Sequence, residues 1–269
     1  MSLSPPSTGR VGPAQLIAAQ WRVLVALMLR DIRTRFFGSA WGFLIVIAWP
    51  LSHIVALLAM RVLIGRTVPY GESAALWFAT GIIPFMSFSY MSRFIMIGIV
   101  LNRPLLNFPV LKITDILFAR AIIEILNAGA VIIILLSGFW FFDVDFMPLD
   151  VTQAAYAIIA SMLLGLGMGV INAIIATAVP MWLTGYALLL IVLWISSGVF
   201  FVPSSLPEIA RNILYFNPAV HGIEWMRSAY YDGYNSTILS KTYILAAGLA
   251  SLAMGLLIER LFRGRLLQP

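Results

Sequence analysis

VTQAAYAIIASMLLGLGMGVINAIIATAVPMWLTGYALLLIVLWISSGVFFVPSSLP, residues 151–207, carries no charged side chain. A helix that crosses roughly 30 Å of hydrocarbon takes about 20 mostly apolar residues. The stretch is too long for one such helix and suits two, with a break near Pro180–Met181. The whole chain has the same character. Of its 269 residues, 61% are hydrophobic and 10% charged, and the mean hydropathy is +0.97. An ordinary soluble domain carries about 25% charged residues. Too little polar surface remains to cover a core in water, so the solvent for most of this chain is lipid.

Working outward from that stretch, further apolar runs occupy Phe36–Met60, Ser73–Ser92 with a continuation past Arg93 toward Val100, Ala119–Phe142 interrupted by Glu124, and Thr242–Ile258. The expected spans are 40–62, 74–98, 119–141, 153–178, 183–202 and 242–260. The fold class is therefore all-α: a polytopic membrane protein with six transmembrane helices. Residues 1–35 form a cytoplasmic tail and interfacial helix, and residues 36–269 the six-helix transmembrane domain. The N-terminus has no short apolar stretch ending in a cleavage-like site, so no secretory signal is expected.

With six spans both termini share one side. The first tail, the loop between spans two and three and the last tail together hold 11 basic residues, against five on the opposite side. The opposite side also carries Asp143, Asp145 and Asp150. The positive-inside rule then makes both termini cytoplasmic. The net charge of +6 is mostly this orientation signal, and nucleic acid is not an expected partner.

Composition excludes several chemistries. The absence of cysteine removes disulfides, thiolate metal sites and a cysteine nucleophile. Two histidines, His53 and His221, cannot make a histidine-rich centre, so no metal site is expected. No G-x-x-x-x-G-K-[ST] occurs, which rules out ATP binding through a P-loop. Gly165, Gly167 and Gly169 in span four permit close helix approach. No catalytic residues are expected.

Three segments outside the spans stand out. Residues 14–35 place Leu16, Ala19, Val23, Ala26 and Leu27 on one helical face and end in Arg30, Arg33 and Arg35. That pattern suits an amphipathic helix in the cytoplasmic interface. Residues 99–118, beginning IVLNRPLLNFPVLKITDI, form a cytoplasmic loop. Pro104 and Pro109 break long helices there, while Leu105, Leu106, Phe108, Val110, Leu111 and Ile113 are too apolar for a solvated loop. Exposed apolar surface of this kind marks a partner site. In residues 203–241, Ser205 with Glu208 suggests a capping box, Pro207 suits a first turn, and Asn217-Pro218 separates two short amphipathic helices. Asp232-Gly233 ends the second. The pair suggests a re-entrant hairpin between spans five and six, tolerated at membrane depth only where packed on protein or lining a wet cavity. Glu124 lies one turn from Arg120, which suggests a local ion pair.

Taken together, this pattern resembles the ABC-2 type permeases, specifically the inner-membrane subunit of capsular polysaccharide export transporters. Two stretches carry most of the resemblance: LRDIRTRFFGSAWGFLIVIAWPLSH (29–53) and FNPAVHGIEWMRSAYYDGYNS (216–236). O-antigen and teichoic acid permeases share the architecture. The resemblance implies a transport subunit of the bacterial inner membrane. It would pair as a homodimer with two copies of a cytosolic ATPase, which binds ATP and Mg; this chain itself would hold no cofactor. The substrate would be a lipid-linked polysaccharide, passed to periplasmic and outer-membrane export proteins. Pro104, Leu105, Leu106, Phe108 and Pro109 would couple to the ATPase. Arg30, Arg33, Arg35, Phe36, Phe37 and Trp41 would form the substrate entrance. Glu208, Asn217, Pro218, Glu224, Trp225, Arg227, Tyr230 and Tyr231 would form the periplasmic gate. A secondary transporter driven by an ion gradient would instead show inverted repeats and paired broken helices, and neither is evident.

Overall fold

A computed structural model describes residues 12–35, 42–64, 68–108 and 111–266. Among these residues it contains helices and connecting turns and no strand. The helices are α1 (Pro13–Arg35), α2 (Gly42–Ile64), α3 (Ala74–Met96), α4 (Gly98–Leu101), α5 (Ile113–Phe141), α6 (Val151–Ala178), α7 (Trp182–Ile195), α8 (Glu208–Tyr215), α9 (Pro218–Tyr230) and α10 (Lys241–Leu266). Short 3-10 turns occupy Arg103–Asn107 and Pro203–Ser205.

Five helices, α2, α3, α5, α6 and α10, are long and apolar enough to cross a membrane. α7 is equally apolar but has only 14 residues, about 21 Å at the usual helical rise. The chain breaks between α6 and α7 at Val179–Met181, as the Pro180–Met181 signal predicts. The end of α7 differs from the expected 183–202. The helix stops at Ile195, and residues 196–202 run on as turns and bends.

α3 is the centre of the bundle. Of its span 72% is buried inside the protein, against 22% for α2 and α10. α6 packs along α3 on one side and along α10 on the other, and its glycines explain how. Gly165 and Gly169 are four residues apart, so they share a helix face. A Cβ on Gly165 would lie 2.6 Å from the Phe88 carbonyl oxygen, and one on Gly169 would lie 2.9 Å from Ile95 Cβ, both on α3. Gly167 points the other way. A Cβ there would lie 2.6 Å from the Gly248 carbonyl oxygen and 2.7 Å from the Leu252 nitrogen on α10. Gly167→Ala should therefore destabilise the bundle by about 1–3 kcal/mol, because the obstruction is backbone that cannot rotate aside. The thermal unfolding midpoint in detergent checks this.

Helix starts follow local chemistry. Ser73 Oγ accepts from the Leu76 N–H at 3.2 Å, and Asp150 Oδ1 from the Gln153 N–H at 3.0 Å. α5 starts at Ile113, six residues before the expected span, because the Asp115 carboxylate accepts from the Lys112 N–H at 3.0 Å and closes its first turn. Asn217 Oδ1 caps α9 through the Ala219 N–H at 3.1 Å, with Pro218 in the first turn. The expected capping box at Ser205 does not form. Ser205 sits in the preceding 3-10 turn and donates its hydroxyl to the Val202 carbonyl at 2.8 Å. Leu206 is held extended, as a residue before proline prefers, and Pro207 is the N-cap of α8.

Candidate functional site

The segment between α7 and α10 is organised by Arg227. α9 carries it into the bundle, where it is fully buried. Its Nη1 donates to the Gly198 carbonyl at 2.8 Å and the Phe201 carbonyl at 3.1 Å, and its Nη2 to the Val199 carbonyl at 2.9 Å. Those three carbonyls belong to the irregular run that follows α7. The guanidinium also lies 4.0 Å over the Trp77 ring on α3. One side chain thus satisfies the acceptors of a broken helix end that no helix can supply.

The neighbouring residues complete the same corner. Asn217 Nδ2 donates to Ser196 Oγ at 3.1 Å, tying the α8–α9 junction to the end of α7. Glu224 accepts from the Tyr234 hydroxyl at 2.5 Å and from Ser236 Oγ at 2.6 Å, and lies 3.9 Å from Arg227. Trp77, Tyr70, Tyr231 and Tyr234 pack ring against ring, with Tyr70–Tyr234 centroids 4.9 Å apart and Trp77–Tyr231 5.3 Å apart. Trp225 turns the other way and donates Nε1 to Gln153 Oε1 on α6 at 2.8 Å. Tyr230 lines an apolar cavity of about 240 Å³ between α3, α5, α6 and α9. Glu208 stands apart, exposed at the start of α8.

At the opposite end α1 is fastened to the loop that follows α3. Gln20 Nε2 donates to Asp115 Oδ1 at 2.7 Å, Arg30 Nη1 to Asn102 Oδ1 at 2.7 Å, and Arg120 Nη2 to Asp31 Oδ1 at 2.8 Å. Arg120 also donates Nη1 to the Phe94 carbonyl at 2.8 Å, so its guanidinium bridges α1, α3 and α5. The sequence places Glu124 one turn from Arg120, and the structure adds Asp31 of α1 as a partner of the same guanidinium. Leu27, Ile116 and Ala119 form a small core beneath these ties, with Val23, Leu24, Met28, Leu105, Leu106 and Leu111 against it. The apolar face of α1 is therefore divided. Leu27 is buried and Val23 half-buried, while Leu16, Ala19 and Ala26 stay exposed. Asp31→Asn keeps the shape and removes the charge, and should destabilise the folded protein by about 2 kcal/mol. A lower thermal unfolding midpoint checks it.

The residues expected to couple to the ATPase separate into two groups. Leu105 and Leu106 turn inward onto the α1 core, whereas Phe108 is 59% exposed and Pro104 is exposed. Val100 and Leu101 on α4 extend the exposed apolar strip. Of the residues expected at the entrance, Arg30 is engaged by Asn102 and Arg33 is exposed. Phe36, Phe37, Trp41 and Pro109 lie outside the described residues, as does the side chain of Arg35.

Between the two ends, α2, α3 and α7 enclose a groove of about 330 Å³ lined by Trp49, His53, Phe85, Ser89, Tyr90, Arg93 and Trp194, among others. The Tyr90 hydroxyl is 3.1 Å from His53 Nδ1, and the Tyr90 and Phe94 rings stack at 5.9 Å. Phe85 meets Trp194 at 4.7 Å, and Trp194 meets Phe200 at 5.3 Å. Arg61 then lies 4.2 Å over Phe200 and 5.3 Å over Phe78. A run of aromatic faces thus leads along the groove from the Phe94 end of α3 to the Arg61 end of α2. Sequence reasoning noted His53 only as one of two histidines and Arg93 only as a charge inside the second apolar run, and it missed Trp49, Tyr90 and Trp194. A signal existed. Trp49 and His53 are four residues apart, Tyr90 and Arg93 three, and Leu190 and Trp194 four, so each pair marks one face of an otherwise apolar span.

Residues 19–231 match the family model described as ABC-2 type transporter. The chain belongs to the ABC-2 type transporter family. Its similarity to curated relatives extends over nearly the whole chain. A polysialic acid transport protein of Escherichia coli, KpsM, is 32% identical over 241 residues, 87% of this chain and 91% of the relative. The capsule polysaccharide export inner-membrane protein BexB of Haemophilus influenzae is 27% identical, covering 92% and 94%. CtrC of Neisseria meningitidis serogroup A, named in the same words, is 25% identical, covering 90% and 92%. The ABC-2 match takes in α1 from residue 19, the groove helices and the whole α8–α9 segment.

Proposed function

We propose that this chain is the membrane permease subunit of an ATP-driven exporter that moves lipid-linked capsular polysaccharide across the bacterial inner membrane. The observation that carries the reading is the end-to-end similarity to relatives named for capsule polysaccharide export. The groove supports it. A polymer cannot be enclosed in one occluded site, so its path needs repeated weak contacts. Rings at successive levels offer flat apolar faces for sugar rings.

Two copies of the chain work with two copies of a cytosolic ATPase, which binds ATP and Mg. The exposed strip Val100, Leu101 and Phe108 docks on that ATPase, and α1, clamped to the same loop, moves with it. The chain crosses the membrane six times, with both termini cytoplasmic. The fifth crossing is α7 extended by residues 196–202, and it can be short because Arg227 satisfies the backbone beyond Ile195. The α8–α9 hairpin re-enters the outer half of the bilayer and closes the path there, with Glu208, Asn217, Pro218, Glu224, Trp225, Arg227, Tyr230 and Tyr231 as its gate. Arg33, Arg35, Phe36, Phe37 and Trp41 flank the inner entrance, while Arg30 anchors α1 to the loop. The emerging glycan passes to periplasmic and outer-membrane export proteins.

Deleting the chain in its host tests this. Lipid-linked glycan should accumulate on the cytoplasmic side and disappear from the cell surface, and a plasmid copy should restore it. Normal surface glycan in the deletion strain would refute the proposal.

A further inference from the structure

The groove holds a cation that no carboxylate answers. Arg93 lies on α3 near its inner end and is exposed. Among the described residues it forms no ion pair and no hydrogen bond to a side chain. The groove lining includes Arg93 and His53 and no acidic residue. Glu124 is buried and lines a separate small pocket with Tyr90, Asn127 and Ser87. An unanswered guanidinium beside lipid is costly and usually marks a path for a charged group. Tyr90 sits one helical turn from Arg93 on α3, and Trp49 lines the same groove from α2. The cation is therefore flanked by flat apolar faces.

We propose that Arg93 sets the charge preference of the groove: its guanidinium takes the carboxylate of an acidic sugar unit while Trp49 and Tyr90 receive the apolar face of the ring. This rests on the reading that the groove between α2, α3 and α7 carries the glycan. The fit is one of charge and shape together. Guanidinium binds carboxylate through paired, charge-assisted hydrogen bonds, and a sugar ring offers C–H groups to an aromatic face. A single cation per chain holds each unit weakly, so a long chain can still move past it.

The test uses the permease purified with its ATPase in nanodiscs of zwitterionic lipid. The probes are a fluorescent uronic-acid oligosaccharide and the same oligosaccharide with its carboxyls reduced to alcohols. The wild type should bind the acidic probe more tightly, and added salt should erode the preference. Arg93→Gln should weaken acidic binding about tenfold, leave neutral binding unchanged and keep the thermal unfolding midpoint. Arg93→Lys, which keeps the charge, should retain most of the preference. Three results would sink the charge assignment alone: a wild type that binds both probes alike, an Arg93→Gln variant that still prefers the acidic probe, or one whose only defect is weaker retention of added anionic lipid. The last would mean that Arg93 serves a headgroup phosphate. A wild type that binds neither probe would sink the groove reading itself, while leaving the deletion experiment to judge the export function.

Discussion

Arg227→Met should leave little folded protein in the membrane. The side chain is fully buried and makes three hydrogen bonds to the carbonyls of Gly198, Val199 and Phe201. Methionine fills much of the volume but donates nothing. Three carbonyl oxygens would then lie in a water-poor interior with no donor, each at a cost of about 1–3 kcal/mol. Glu224, 3.9 Å away, would lose its nearest cation, and Trp77 would lose the guanidinium over its ring. Removing one partner from a buried charged network costs roughly 3–5 kcal/mol, which is much of the stability of an ordinary domain. Expression followed by size-exclusion chromatography in mild detergent reads the loss. Arg227→Lys should rescue only in part, because an ammonium reaches one or two of the three acceptors and lacks the planar fork. Full recovery with lysine would mean that charge alone matters at this corner.

The second large effect is on export, with folding intact. Phe108→Asp should lower export at least about tenfold, the scale expected when an exposed aromatic anchor is lost from a docking surface. Phe108 has little to do with the stability of this chain, since it is 59% exposed, so membrane insertion and the thermal midpoint should hold. Leu106→Asp makes the informative contrast. Leu106 packs against the cores formed by α1, α3 and α5, so a carboxylate there should destabilise the protein before docking is tested. Surface glycan measured in cells, beside the amount of intact permease in the membrane, separates the two. Wild-type export by Phe108→Asp would remove this residue from the coupling surface.

Much of the fold was legible because lipid leaves so few choices. Charge-free runs mark the spans, Pro180 marks a break, and Gly165, Gly167 and Gly169 mark close approach. The end of α7 was not legible. Residues 196–202 are as apolar as the helix before them, and the cause of the break, Arg227, lies on a different element. A local pattern cannot reveal a carbonyl's partner some thirty residues away. Ser205 shows the same limit on a smaller scale, since its hydroxyl had a closer carbonyl to serve. Among the site residues, the sequence pointed to Arg227, Asn217 and Glu224 as a group, and they do meet at one corner. It treated Arg30 as free for substrate, whereas Asn102 engages it. It also overlooked the groove, because Trp49, Tyr90 and Trp194 come from three helices and each alone reads as an interfacial ring. Nor did it reveal that Tyr231 and Tyr234 pack with Tyr70 and Trp77 against the core of the bundle.

ATP-driven export through this chain is most directly tested in inverted inner-membrane vesicles from cells that make the permease, its ATPase and the lipid-linked glycan. Glycan should become protected from an added glycan-degrading enzyme only when ATP is supplied. Protection should vanish when the chain is omitted and should survive ionophores that abolish ion gradients. Protection that proceeds without ATP and collapses with the ionophores would contradict the assignment and point to an ion-coupled carrier.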